Sequence, residues 1–544
     1  MSLKADKIIL GNIITLDDIK PYAKAMAVKD GTIMYVGSEK MAKKLCDEKT
    51  EIIDYGNNYI FPGFMDAHDH GMLSGWRAIG SANVFDGQSY AEYIDMMKAY
   101  IDANPGKSFY MGAGWIEKSE GKFTKECLDE LAPDATIVLQ SADGHSMLLS
   151  SKAMEKFEIN KETAKKMLPG EVEYDENGEL TGLIHEGPVR DIMPKLPMTI
   201  EEVKSYILNY QELAFSRGFT AHVEAGSQLV SKQQNEAYTD LAKEGKLKLR
   251  TYTYETVLDN TDTPEQDVEK TVELIKKYNT EHHKIIGLKT FLDGVIEARA
   301  AWMLDEFCDE PGYFGVPCFS DHDKMVRLIV EAAKYNLAVH CHSIGDAATK
   351  FFLDCVEEAQ EKTGVMDQRN CLAHLEFVTP EDILRFADTN TIAITPPTWT
   401  MKLEENYRNA VSYVGQAKMN DEYPIKSFFD AGSVVVAHTD YPAGPFLDIP
   451  LSVFMACNRY YPELGEESLN NEKECVSRKQ AIDMMTRNVA IQFKEEDRLG
   501  TLSIGKIANA TILDTDILNC PNEDIMKTQV IATIVDGEEV YKQA

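Results

Sequence analysis

Phe61-Pro-Gly-Phe-Met-Asp-Ala-His-Asp-His70 is the stretch on which the reading of this chain turns. It is a hydrophobic run that ends in His68-x-His70. Side chains two apart on a β-strand leave the same face, so both imidazoles emerge on one side of the strand's C-terminal end. A divalent metal at that end can take both. Further along, Lys289, His342, His374 and Asp440 each stand at the end of another apolar run.

With Ile60–Ala67 counted as the first, strand candidates follow at Gly218–Ala225, Lys248–Thr256, Ile285–Leu292, Leu337–His342, Cys371–Phe377, Thr391–Thr395 and Ser433–Thr439. Amphipathic stretches such as Lys324–Tyr335, Ala347–Lys362, Pro380–Asp388 and Arg478–Phe493 lie between or after them. Eight strands alternating with helices predict an α/β fold, a parallel (β/α)8 TIM-like barrel. Residues from about 76 to 200 do not fit one crossover and predict a large insertion after the first barrel strand. Both chain ends read as β: Lys7–Leu16, Ala25–Gly37 and Glu51–Asp54 at one, Gly500–Gly505, Ala508–Asp514 and Val530–Tyr541 at the other. Asp30-Gly31 is a hairpin turn signal. The expected organisation is a small β-sandwich from residues 1–59 and 490–544 around a barrel over 60–489.

Barrel active sites are built at the C-terminal ends of the strands. An ionisable group left unpaired in an apolar run costs several kcal/mol, so His68, His70, Lys289, His342, His374 and Asp440 must be satisfied together. A metal does this. Imidazole and carboxylate suit Zn²⁺, with Mn²⁺ and Fe²⁺ not separable from it by ligand type. A water on such an ion has its pKa brought down to about 7, which gives hydroxide at neutral pH.

The chain resembles the amidohydrolase superfamily, in its YtcJ-like and N-substituted formamide deformylase-like branch. The resemblance spans essentially the whole chain. It is carried by Pro62-Gly-Phe-Met-Asp-Ala-His-Asp-His70, Gly114-Trp115, Asp143-Gly-His-Ser146, Thr181-Gly-Leu-Ile-His-Glu186, Gly287-Leu-Lys-Thr-Phe-Leu-Asp-Gly294, His342-Ser-Ile-Gly-Asp346, His374, Thr439-Asp-Tyr-Pro442 and Gly500-Thr-Leu-Ser-Ile-Gly-Lys506. It implies one metal on His68, His70 and Asp440 and a second on His342 and His374, so one or two ions per chain. It also implies a carboxylated Lys289 bridging them. From the residues alone, Lys289 reads equally as a cationic substrate contact or half of a buried ion pair. The resemblance further makes Asp440 the base that takes a proton from the attacking water and returns it to the leaving amine. One position departs from the family pattern. Two residues before Asp440 the family has a small side chain, and here stands His438, which either orients a ligand or replaces one. His340 shares a strand face with His342 one layer deeper and reads as a hydrogen-bonded core histidine.

Substrate-facing candidates are fewer. His145 resembles a family position that faces substrate and could donate to a developing oxyanion; a satisfied loop histidine is the plain alternative. Trp115 could wall a pocket or be core. Glu186 reads as a site carboxylate or a surface ion pair. Arg299 could anchor a carboxylate bidentately, with pairing to Asp293 or Glu297 the simpler reading. His222 ends the second barrel strand.

Composition narrows the partners. A formal charge of −33 repels phosphate backbones and anionic membranes, which argues against nucleic-acid and lipid partners. No apolar run approaches the ~20 residues of a membrane span, and the first residues lack a signal peptide's apolar region. Ten scattered cysteines without Cys-x-x-Cys pairs read as reduced thiols, so the cytoplasm is expected. A small-molecule substrate is the partner expected; such barrels often pair, which leaves a homodimer open without fixing the oligomeric state. The function expected is a metal-dependent hydrolase that uses metal-activated hydroxide on an amide-like C–N bond outside a peptide backbone. The alternatives are deamination or cyclic-amide ring opening at the same site, and a non-catalytic, metal-containing binding or regulatory protein.

Overall fold

The computed structural model describes residues 4–116, 123–142, 144, 146–167, 170–226, 231–258, 261–444 and 446–544. The chain divides into two compact units. One comprises Met1–His70, Gln211–Gly226 and Ala242–Ala544, the other Gly71–Tyr210 and Ser227–Leu241.

The first unit holds the predicted barrel. Its strands are β1 (Phe64–Asp69), β2 (Phe219–Glu224), β3 (Arg250–Thr256), β4 (His283–Phe291), β5 (Ala338–Ser343), β6 (Cys371–His374), β7 (Ile392–Thr395) and β8 (Val435–Ala437). They run in that spatial order and every adjacent pair is parallel. The ring closes through backbone hydrogen bonds just beyond the strand ends. Asp440 N–H donates to the His68 carbonyl at 3.0 Å, and His70 N–H donates to that of Tyr441 at 2.8 Å. Helices Pro264–Tyr278, His322–Ala333, Asp346–Thr363 and Pro380–Asp388 pack side by side outside. Tyr252, Tyr254, Ala338, Ala373, Ile392 and Phe493 are buried in the barrel core.

Two expectations about elements need correction. The opening stretch is not one strand. Glu51–Pro62 belongs to the terminal sheet, Gly63 intervenes, and β1 starts at Phe64. The interruption needs glycine, because a Cβ on residue 63 would lie 2.2 Å from Thr220 Oγ1. Gly63→Ala is therefore expected to cost about 1–3 kcal/mol through overpacking, read as a lower Tm; an unchanged Tm would show that Thr220 can give way. The second correction concerns Arg478–Phe493, which is two short helices, Arg478–Asp483 and Arg487–Gln492. The carbonyls freed by the break are used by the barrel: Met484 accepts from Ala437 N–H and Met485 from Met65 N–H, at 2.9 and 2.8 Å.

The chain ends meet in one seven-stranded mixed sheet, in which Glu51–Pro62 lies between Lys7–Ile14 and Ala510–Leu513. The sheet doubles over one of its two hydrophobic clusters. Met26 and Ile33 share that core with Ala532 and Ile534, and a Cβ on Gly31 would come 3.1 Å from the Asp536 carbonyl oxygen. One folded-over sheet thus provides the two faces expected of a sandwich.

The second unit carries the segment read as an insertion. Six of its strands form one sheet, running from Gly170–Tyr174 through Leu180–Glu186, Ser146–Leu149, Thr136–Ser141 and Phe109–Trp115 to Ala82–Asn83. Helix Tyr90–Ala103 packs on it around Tyr93, Met97, Ile137 and Leu139. All ten cysteines are free thiols. Among the described residues, no helix is long and apolar enough to cross a membrane.

Candidate metal centre

At the C-terminal end of β1 the expected pairing holds. His68 Nε2 and His70 Nε2 both reach Asp440 Oδ1, at 3.2 and 3.3 Å. One ligand-type atom from each of the three residues lies within 4.8 Å of the others. Lys289 on β4, His342 on β5 and His374 at the end of β6 are all buried. The His342 and His374 rings lie 4.5 Å apart, centre to centre, and His374 is 5.1 Å from His68. His68, His70 and Asp440 thus come together, with the His374 ring beside His68 and the His342 ring beside His374.

Several of the site's buried polar atoms lack a hydrogen-bond partner among the described residues: Lys289 Nζ, His342 Nε2, His374 Nδ1 and both ring nitrogens of His438. An orphaned buried donor or acceptor costs about 1–3 kcal/mol, and native interiors rarely leave several together. A cation-binding centre is the arrangement in which converging lone pairs are an asset. By this test the residues fit a divalent metal: imidazole and carboxylate donors, buried, at the catalytic end of a barrel.

Electrostatics agrees. Burial, and after it the charge of Lys289, holds His68, His340 and His342 in the neutral, ligating form, with His342 down at about 3. Burial alone would push Asp440 up. The hydrogen bond from His70 and the charges of His374, His70 and His438 outweigh it, and the carboxylate is held well below its usual range. For His70 burial likewise opposes the charged form, but the hydrogen bond and charge of Asp440 prevail and raise it. Asp440 therefore favours positive charge beside it. Lys289 goes the other way, brought down from 10.5 to about 8 by burial. Its ammonium lies 5.1 Å from the centre of the Phe291 ring.

The backbone is strained at the same place. His374 has φ 82° and Asp440 φ 55°, in the left-handed region that non-glycine residues seldom enter. Such strain persists only where the surroundings hold it, and it concentrates at functional sites. Here Asp66 does much of the holding. Its carboxylate accepts from His68 N–H at 3.1 Å, Thr439 N–H at 3.2 Å and the Thr439 hydroxyl at 2.6 Å, clamping the end of β1 to the loop after β8. Asp69, between the two histidines, is 2.7 Å from His222 Nδ1 on β2, and His222 Nε2 lies 3.0 Å from the Thr251 hydroxyl. His340 is hydrogen-bonded as expected, its Nε2 lying 2.9 Å from His68 Nδ1. That contact leaves His68 Nε2 for a ligand role.

Sequence reasoning did not single out Asp66, Asp69 or Trp399. Asp66 carried a signal, being a carboxylate in an apolar strand with the same parity as His68. Trp399, in a turn after β7, stacks on His374 with ring centres 5.4 Å apart and planes 2° from parallel. Nothing in Pro396-Pro-Thr-Trp399 announces that stack.

The substrate-facing candidates among the described residues have contacts of their own. Trp115 sits in the core of the second unit, its indole N–H donating to the Leu139 carbonyl at 2.9 Å and its ring edge-on to Phe123. Glu186 closes the strand Leu180–Glu186, its backbone in register with Gly170. His145 lies outside the described residues. Arg299 pairs with Asp309 and Glu310 at 3.2 and 2.7 Å, among the rings of Phe307, Tyr313 and Tyr413. The expected partner Asp293 is otherwise engaged. It accepts from the N–H groups of Trp302, Ile344 and Gly345 at 2.9, 3.0 and 2.7 Å, although burial pushes it up to about 7.

Residues 51–541 match the family model described as amidohydrolase family. The chain is 25% identical over 544 residues to YtcJ of Bacillus subtilis, covering 98% of this chain and 99% of that protein. It is 23% identical over 553 residues to N-substituted formamide deformylase of Arthrobacter pascens, covering 98% of each. An uncharacterised metal-dependent hydrolase from Pyrococcus furiosus shares the fold, with a TM-score of 0.76 at 24% identity over 94% of this chain and 100% of that one.

Proposed function

The chain belongs to the amidohydrolase family, and on that premise we propose that it hydrolyses an amide-like C–N bond of a small molecule with the help of divalent metal. The observation that carries the proposal is the Asp440 oxygen shared by His68 and His70 at 3.2 and 3.3 Å, with buried nitrogens of His342 and His374 that lack hydrogen-bond partners among the described residues. His68, His70 and Asp440 would hold one ion, His342 and His374 a second, with Zn²⁺ the best match to that donor set. Ions bound there would supply Lewis acidity, easing deprotonation of water and polarising the scissile carbonyl.

The protein's own part is proton transfer and positioning. Asp440, ionised throughout the physiological range, accepts the proton of the attacking water and delivers it to the departing nitrogen. His70 stays close enough to retain Asp440 in place, and Asp66 fixes both strand ends so that the base does not drift. Lys289, its pKa lowered by burial, would as the neutral amine add CO₂ and release a proton, and the resulting carbamate would be an anionic ligand for the two ligand sets. Formamides, N-acyl amines and cyclic amides form the substrate panel; the formamide relative puts the first of these foremost.

Elemental mass spectrometry on protein purified without chelators is expected to find about two equivalents of divalent metal per chain. Dialysis against a chelator should remove them together with turnover of the panel, and added Zn²⁺ with bicarbonate should restore both. Protein that takes up no metal under those conditions would overturn the proposal.

A further inference from the structure

We propose that His438 is a ligand of this centre, a fifth imidazole beside His68, His70, His342 and His374; the inference rests on the metal-dependent reading above. His438 is 1% exposed. Both of its ring nitrogens lack a hydrogen-bond partner among the described residues. Its ring centre lies 5.2 Å from that of His68, 4.9 Å from His374 and 5.6 Å from Trp399. It therefore stands between a histidine of each expected ligand set, two residues before Asp440.

The other buried histidines show what a structural role looks like in this protein. His222 uses both nitrogens, on Asp69 at 2.7 Å and Thr251 at 3.0 Å. His283 Nε2 is 3.1 Å from the Thr253 hydroxyl, and His340 Nε2 is 2.9 Å from His68. A buried imidazole serving only the fold finds at least one such partner, because each unmet nitrogen costs about 1–3 kcal/mol. His222, His283 and His340 thus each keep at least one nitrogen hydrogen-bonded, whereas neither nitrogen of His438 has a hydrogen-bond partner among the described residues. Among the described residues no protein group partners its two nitrogens, and its neighbouring rings include those of His68 and His374. A cation held by either ligand set would thus have the His438 ring beside one of its histidines, a placement that no spacing rule based on H-x-H predicts.

This placement has a consequence for metal choice. Each added imidazole shifts a site away from oxygen-preferring ions such as Mn²⁺ and Mg²⁺ and toward Zn²⁺, Co²⁺ and Cu²⁺. His438 should therefore sharpen the preference for Zn²⁺ over Mn²⁺.

The test uses the full-length protein, stripped of metal and titrated with Zn²⁺ against a chromophoric chelator, with Mn²⁺ measured in parallel. Co²⁺ titration followed by its visible ligand-field absorption supplies a readout of the coordination sphere itself. His438→Ala is expected to weaken Zn²⁺ binding at one site by about tenfold or more, to narrow the Zn²⁺ to Mn²⁺ ratio and to change the Co²⁺ spectrum. Wild-type affinity with an unchanged spectrum would overturn the assignment. So would weakened binding with an unchanged spectrum, which reduces His438 to a positioning residue. Circular dichroism checks the fold, and if the alanine variant does not fold, His438→Asn is read by the same criteria. Wild-type protein that binds no metal would sink the metal-dependent reading itself, an outcome distinct from a variant that binds like wild type.

Discussion

Asp440→Asn is expected to lower kcat/KM on whichever amide of the panel is turned over by about 10³-fold or more, with the fold intact. General acid–base catalysis by a placed side chain contributes about 10²–10⁴-fold, and here the same carboxylate is also expected to ligate metal. Asparagine keeps the shape but neither accepts a proton at neutral pH nor offsets cationic charge. The fold should survive because the backbone around residue 440 is held independently of its side chain. Its N–H donates to the His68 carbonyl at 3.0 Å, its carbonyl accepts from Gly444 N–H at 2.8 Å, and Thr439 is pinned by Asp66. Turnover, metal content and a thermal melt on the same preparation check this. Turnover equal to wild type in folded, metal-loaded protein would remove Asp440 from the mechanism and with it the proposed proton path.

What the sequence disclosed depended on how local the physics was. The helix Pro380–Asp388 was legible to the residue. Pro380 opens it, and the Thr379 hydroxyl caps it by accepting from Asp382 N–H at 3.1 Å, both signals written within four residues. The meeting of His68, His70 and Asp440 was legible because parity on a strand and the C-terminal rule for barrels are geometric constraints that need no knowledge of neighbours. The break at Gly63 was not, since its cause is Thr220, more than 150 positions away, and no local pattern separates a strand from two strands in different sheets. The interruption between Asp483 and Arg487 is of the same kind, imposed by Met65 and Ala437 needing carbonyl acceptors. Arg299 shows the limit for single side chains. Its partners Asp309 and Glu310 sit in a loop whose path follows from tertiary packing.

Lys289→Met gives the second large effect, with opposite signs in the two states of the protein. Without metal, Lys289 is an ammonium in a buried site, 1% exposed, with no hydrogen-bond partner among the described residues. Burial brings it from 10.5 to about 8, which corresponds to about 3 kcal/mol of destabilisation while the amine is charged in both folded and unfolded chains. Because the folded value is the lower one, the folded chain releases its proton first. The penalty is thus fully present below about pH 8 and is relieved as pH rises from there toward 10.5. Metal-free Lys289→Met should accordingly melt higher than metal-free wild type at pH 7, and the gap should close near pH 10. A Lys289 held in a buried ion pair would give the reverse, since removing one partner strands the other. With metal the order inverts. The same fall to about 8 makes the neutral amine about 300-fold more abundant near pH 7 than for an ordinary lysine, and only the neutral amine adds CO₂. Methionine cannot form the carbamate, so the variant should retain about one equivalent of metal where wild type holds about two, and should lose turnover of the amide panel. Native mass spectrometry of wild type equilibrated with bicarbonate should show the added carboxyl group, absent from the variant. Full metal content in Lys289→Met would dismiss the bridge and leave two separately held ions or a different ligand between them.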